Sequence, residues 1–149
     1  MRYLIDTNAY SDMMDKHPNV IAHLRGLGDD DELSASAITH GEIYYGLATL
    51  PSGRRKASLM GDANAVFASL REVVPITWEV AEVYADLKAK LEAKGKRFSA
   101  DGDDNDVWIA AVALHGGFTL VTADKHFKEV KGLRVVNWRE PPKTGRERR

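Results

Sequence analysis

Four carboxylates at the joins between expected elements carry the chemistry open to this sequence: Asp6, Glu42, Asp106 and Asp124. Asp6 ends the apolar run Tyr3-Leu4-Ile5. Glu42 falls in the first turn of the helix expected after a second strand. Asp106 opens the apolar helix Val107 to Leu114, and Asp124 follows the strand that ends Val121-Thr122. In an open parallel sheet the carboxyl ends of the strands and the starts of the following helices face one crevice, so side chains distant in the chain can converge there. Two like charges about 4 Å apart interact by roughly 4 kcal/mol at an effective dielectric of about 20. A cluster of this kind must take up protons or bind a cation. Oxygen donors without cysteine or a histidine pair suit Mg²⁺ or Mn²⁺.

Each acid also has a purely structural reading. Asp6 can cap a helix or form a turn. Thr39-His40-Gly41-Glu42 matches a capping box, in which the glutamate bonds back to the cap residue. Asp106 can complement the positive end of its helix, and Asp124 can cap a short helix around Phe127. Together these readings require four caps to gather at one edge by accident. The loop Asp101, Asp103, Asn105 opens like an EF-hand, but its sixth position is Asp106 rather than glycine and its twelfth is Val112 rather than glutamate. The plain state of Asp101, Asp103 and Asp104 is a solvated acidic loop. His17, His23, His40, His115 and His126 are scattered, without the H-E-x-x-H spacing of a metalloprotease. His40-Gly41-Glu42 echoes a zinc-deaminase motif whose cysteines this chain lacks. There is no Walker A sequence and no G-x-S-x-G.

The elements that must position the acids can be read from periodicity. Strands are expected at Tyr3–Ile5, Leu33–Ala37, Val73–Ile76, Phe118–Val121 and Leu133–Val136, with Pro75 arguing for an edge position. Helices are expected around Val20–Leu24, Ile43–Leu50, Met60–Leu70 and Val80–Leu91, and from Asp106 to the Gly116-Gly117 stop. Alternating strands and helices predict an α/β fold with a mainly parallel central sheet of four or five strands, flanked by helices on both faces. The chain reads as one domain over residues 1–140, followed by a basic, flexible tail over 141–149. Its 149 residues, 44% hydrophobic content and net charge of −1 suit a soluble domain and give no bulk reason to expect nucleic acid or a membrane. The absence of cysteine excludes thiolate zinc sites and cysteine nucleophiles, and fits a cytoplasmic protein.

The ordered set LIDTN, SAITHGEIYYG, DVWIAAVALHGG, LVTADKHF and LRVVNW resembles the PIN-domain ribonucleases, specifically the VapC-type toxins of bacterial toxin–antitoxin pairs. The resemblance spans residue 1 to Trp138. It implies a PIN-like fold, Mg²⁺- or Mn²⁺-dependent endoribonuclease activity, a homodimer, and a cognate antitoxin whose tail occupies the active site. By position it assigns Asp6, Glu42, Asp106 and Asp124 as the catalytic and metal-binding quartet. The loop after Phe98 is longer than is usual in the family, which leaves open whether Asp103 or Asp104 joins the metal. Asp106 is the acid in register with the apolar face of Ala110, Ala113 and Leu114.

On this reading, water activated by metal attacks an RNA phosphodiester in line and leaves 5′-phosphate and 3′-hydroxyl ends. Thr7, Asn8 and Thr122 are placed to orient carboxylates or water, or simply to cap helices. Arg54, Arg55, Lys94, Lys96 and Arg97 are candidates for RNA contact, although exposed lysines on a helix are usually a solvated face. Three competing classes remain: a phosphatase with an aspartate after its first strand, which needs a second acid where Asn8 stands; a non-catalytic binding module; and a DNA nuclease.

Overall fold

The computed structural model describes residues 1–96 and 104–143. Five strands form one parallel sheet in the order β3-β2-β1-β4-β5. In chain order the elements are β1 (Arg2–Ile5), α1 (Thr7–Met14), α2 (Pro18–Arg25), β2 (Glu32–Ser36), α3 (Ala37–Ala48), α4 (Arg54–Ser69), β3 (Glu72–Val74), α5 (Trp78–Ala93), α6 (Asn105–Gly116), β4 (Thr119–Val121), a 3-10 helix (Lys125–Glu129) and β5 (Arg134–Val136).

Successive side chains on a strand point to opposite faces, so a sheet covered on both sides favours apolar residues at successive positions. Leu4 and Leu120 enter one core, with Leu87 and Leu91 of α5 and the wholly buried Ile109–Ala113 stretch of α6. Ile5 and Val121 enter the other, with Tyr10 of α1, Val20 of α2, Ile43 and Leu47 of α3, and Ala63 and Val66 of α4. Helices therefore cover both faces, as the alternating pattern predicts.

Pro75 lies just beyond β3, which is an edge strand as expected. The sequence places the second strand at Leu33–Ala37, but the chain turns into α3 with no loop at all. Ser36 ends β2 and caps α3, its hydroxyl accepting from the Thr39 amide at 3.1 Å. Helix α6 runs to Gly116, and Gly117 takes the left-handed conformation (φ +67°) that glycine adopts without strain. A Cβ at Gly116 would stand 2.3 Å from the Phe118 ring, so only glycine lets the chain turn tightly into β4.

β1 and β4 pair with Ile5 opposite Val121. Asp6 and Thr122 therefore leave the sheet side by side, the Asp6 amide still bonded to the Val121 carbonyl at 3.1 Å. Of the expected tail, residues 141–143 are described and 144–149 lie outside the described residues. Among the described residues, no helix is long and apolar enough to cross a membrane.

Candidate metal centre

Asp6 does two things at once. As the cap of α1 it accepts from the Ala9 amide at 2.8 Å, so the structural reading of this residue is correct. It is also only 3% exposed, and it receives a hydrogen bond from the Thr122 hydroxyl. Burial pushes its pKa up to about 6; those two hydrogen bonds oppose the rise, and the charges of Asp124 and Asp106 add to it. The Thr122 oxygen in turn accepts from the Asp124 amide at 3.0 Å. One threonine thus ties the first acid to the loop that carries the last.

The capping-box reading of Glu42 is overturned. Because α3 starts at Ala37 behind Ser36, Thr39 is inside the helix and Glu42 sits in the second turn, not the first. Its Oε1 accepts instead from the Thr7 hydroxyl at 2.7 Å, and that hydroxyl lies 3.3 Å from Thr39 Oγ1. Thr7 therefore orients an acid from another element. Asn8 reaches Asp124 Oδ2 from the same turn of α1 at 3.5 Å.

Asp106 is the second residue of α6. Burial raises its pKa, His126 opposes the shift, and Asp124 and Glu42 add to it. The field around this carboxyl therefore carries the marks of three other groups drawn from separate elements. Asp124 directly precedes the 3-10 helix but makes no side-chain cap bond, which leaves its carboxylate for other partners.

Sequence reasoning missed His126. Its Nε2 lies 3.0 Å from Asp106 Oδ2, both side chains being about a third exposed. Asp106, Asp124 and His126 offer donor atoms that all lie within 4.8 Å of one another, the group among the described residues that could hold a metal ion. Two carboxylates and an imidazole suit a divalent cation of the Mg²⁺ to Mn²⁺ kind, the nitrogen favouring the softer member. Asp6 and Glu42 stand beside this trio rather than in it; their reach is seen in the shifts of Asp6 and Asp106. The cue for His126 was its place two residues after Asp124 at the end of a strand.

The acidic loop resolves in part. Asp104 turns away from the centre: its carboxylate accepts from Lys88 Nζ at 2.7 Å and from the Tyr84 hydroxyl, and both bonds hold its pKa below the usual range. Tyr84 stacks on Trp108 with centroids 3.7 Å apart, so this contact pins the first turn of α6 to α5. Asp101, Asp103 and Arg97 lie outside the described residues. Arg54 and Arg55 are exposed at the start of α4, Lys94 caps the end of α5, and Lys96 pairs with Glu129 at 3.6 Å. A groove of about 1160 Å³ lies away from these acids between α1, α2 and α4.

The PIN domain family matches this chain over residues 3–133. The VapC ribonuclease Y4jK of Sinorhizobium fredii is 32% identical over 143 residues, covering 93% of this chain and 98% of its own. Toxin FitB of Neisseria gonorrhoeae is 32% identical over 125 residues, covering 81% and 86%. Among solved structures, VapBC2 of Rickettsia felis, bound to a promoter DNA fragment, has a chain that superposes with a TM-score of 0.81 at 26% identity, covering 93% of this chain and 99% of that one.

Proposed function

The chain belongs to the PIN-domain family, and on that premise we propose that it is a Mg²⁺- or Mn²⁺-dependent endoribonuclease acting as the toxin of a toxin–antitoxin pair. The single observation that carries this reading is the convergence of Asp106, Asp124 and His126 within 4.8 Å at the edge where Asp6 and Glu42 also emerge. The names of Y4jK and FitB supply the ribonuclease and toxin roles. The partnered VapBC2 structure supports a cognate antitoxin. The same reading places the protein in the cytoplasm, where RNA is found, and makes it a homodimer; the exposure of Tyr45 (72%) and Trp78 (70%) supports a further contact surface.

Asp106, Asp124 and His126 would hold the cation, with Asp6 and Glu42 beside them. A divalent ion there supplies an activated water and neutralises charge on the phosphate. The chain's own part is orientation. Thr122 and the Ala9 amide fix Asp6; Thr7 fixes Glu42; Asn8 steadies Asp124. His126 Nε2 lies against Asp106 Oδ2, a contact that opposes the upward shift burial gives that carboxyl. Catalysis of phosphoryl chemistry rests largely on such positioning and on charge.

The test is cleavage of RNA by the wild-type chain and by Asp106→Asn, with Mn²⁺ or with chelator, and mapping of the new ends. The reading predicts 5′-phosphate ends, lost in the variant and in chelator. Cyclic 2′,3′-phosphates, or equal cleavage by the variant, would contradict it.

A further inference from the structure

We propose that the groove running from Asp124 along the outer edge of β5 binds a single-stranded segment of RNA beside the cleaved bond. The proposal rests on the nuclease reading above and names where its substrate lies. The groove encloses about 720 Å³; Thr122 and Asp124 form one end, and it continues past Val135, Val136 and Trp138 to Lys143. It is therefore continuous with the acid cluster, unlike the groove between α1, α2 and α4.

Two features of its walls match what a single strand of nucleic acid needs, a positive track for phosphates and ring faces for bases. Lys125, Lys128 and Lys143 line the groove, the first two from the 3-10 helix that also carries His126. Of the acids in the same wall, Asp31 is bonded to the N-terminal ammonium at 2.7 Å and Asp124 belongs to the acid cluster at the groove's end, which leaves Glu140 against three lysines along the rest of it. The aromatic wall is built on Trp138, which is buried and backs two half-buried rings. His23 stacks on it at 5.5 Å and 8°, and Tyr3 leans on it at 5.2 Å. A further contact, from the His23 ring to the Glu140 carbonyl at 2.8 Å, sets that ring's orientation. Lysines and pre-set rings lining one groove suit a strand with unpaired bases rather than a duplex.

Of the basic residues singled out in the sequence, the described ones, Arg54, Arg55, Lys94 and Lys96, do not line this path. Arg54 and Arg55 stand exposed on α4, and Lys96 is paired with Glu129. They provide the comparison for the test.

A labelled single-stranded RNA oligonucleotide is titrated in chelator, where metal-dependent cleavage is stopped, and its Kd is followed by anisotropy from about 0.05 to 0.5 M salt. Each phosphate contact on a single strand contributes about 0.7 to the slope of log Kd against log salt. Lys125→Gln/Lys128→Gln/Lys143→Gln should therefore flatten the slope by about 2 and weaken binding by on the order of 10–100-fold at about 0.1 M salt. His23→Ala should raise Kd without changing the slope, because stacking releases no counterion. An unchanged slope in the triple variant would overturn the proposal. So would an equal flattening in Arg54→Gln/Arg55→Gln, which would mean diffuse attraction. Loss of antitoxin binding with the RNA slope intact would assign the groove to a peptide and overturn it too. Cleavage on adding Mn²⁺ to the wild type is scored separately: its absence, with the slope difference intact, would sink the nuclease reading and leave the groove supported.

Discussion

Replacing Asp6 by asparagine should make the metal-free protein more stable, and the gain should depend on pH. The side chain is nearly isosteric, and asparagine caps helices as well as aspartate does, so the Ala9 bond is kept. What disappears is a buried charge facing Asp106 and Asp124. The folded carboxyl holds its proton up to about pH 6 whereas the unfolded one releases it near 3.8, so the folded state binds that proton more tightly. The stability this contributes is complete below pH 3.8 and is lost as the pH rises through 6. At about 1.4 kcal/mol per pH unit the wild type forgoes roughly 3 kcal/mol above that window. The asparagine amide must now face the Thr122 hydroxyl, a poorer arrangement that takes back about 1 kcal/mol. A net gain of about 2 kcal/mol corresponds to roughly 4–8 °C in Tm for a domain of this size. Thermal melts of both proteins in chelator, at pH 4 and at pH 8, measure it. The reasoning is refuted if Asp6→Asn melts no higher than wild type at pH 8, or if the gain is the same at pH 4.

Other perturbations separate the roles of neighbouring groups. Thr7→Val removes the hydroxyl that holds Glu42 and should lower activity about 10–100-fold with little change in Tm; a rate equal to wild type would show that Glu42 needs no anchor. Asp104→Asn should leave Mn²⁺ affinity as it is, because that carboxylate is committed to Lys88 and Tyr84; a several-fold loss by calorimetry would bring it into the centre. Gly116→Ala should cost about 1–3 kcal/mol in urea unfolding, since its methyl would collide with the Phe118 ring; no loss would mean the turn relaxes freely.

Local pattern made much of this molecule legible. The apolar runs around Leu4, Leu120 and Val135 are read as strands because a sheet buried on both faces admits nothing else, and Pro75 marks an edge because it has no amide to donate. Glu42 stands three residues deeper in its helix than the pattern suggests: Ser36 and Thr39 are equally good caps, and only the tertiary join of β2 to α3 selects the first. That choice decides whether Glu42 bonds its own helix or Thr7. Asp6 was posed as cap or site residue, and it is a cap within the cluster, since one oxygen serves the Ala9 amide while the charge acts on the whole group. His126 escaped because its relation to Asp106 spans β4 and the turn after it, a distance no periodicity encodes. The partner of Asp104 was equally hidden, for it lies on α5, across the stretch outside the described residues.

The most direct measurement is a Mn²⁺ titration followed by electron paramagnetic resonance, on the wild type and on Asp106→Asn/Asp124→Asn. If these carboxylates gather to hold a divalent cation, the wild type takes up Mn²⁺ at a saturable site and the double variant loses it while staying folded. Absence of saturable uptake by the wild type, or uptake undiminished in the variant, would contradict the account.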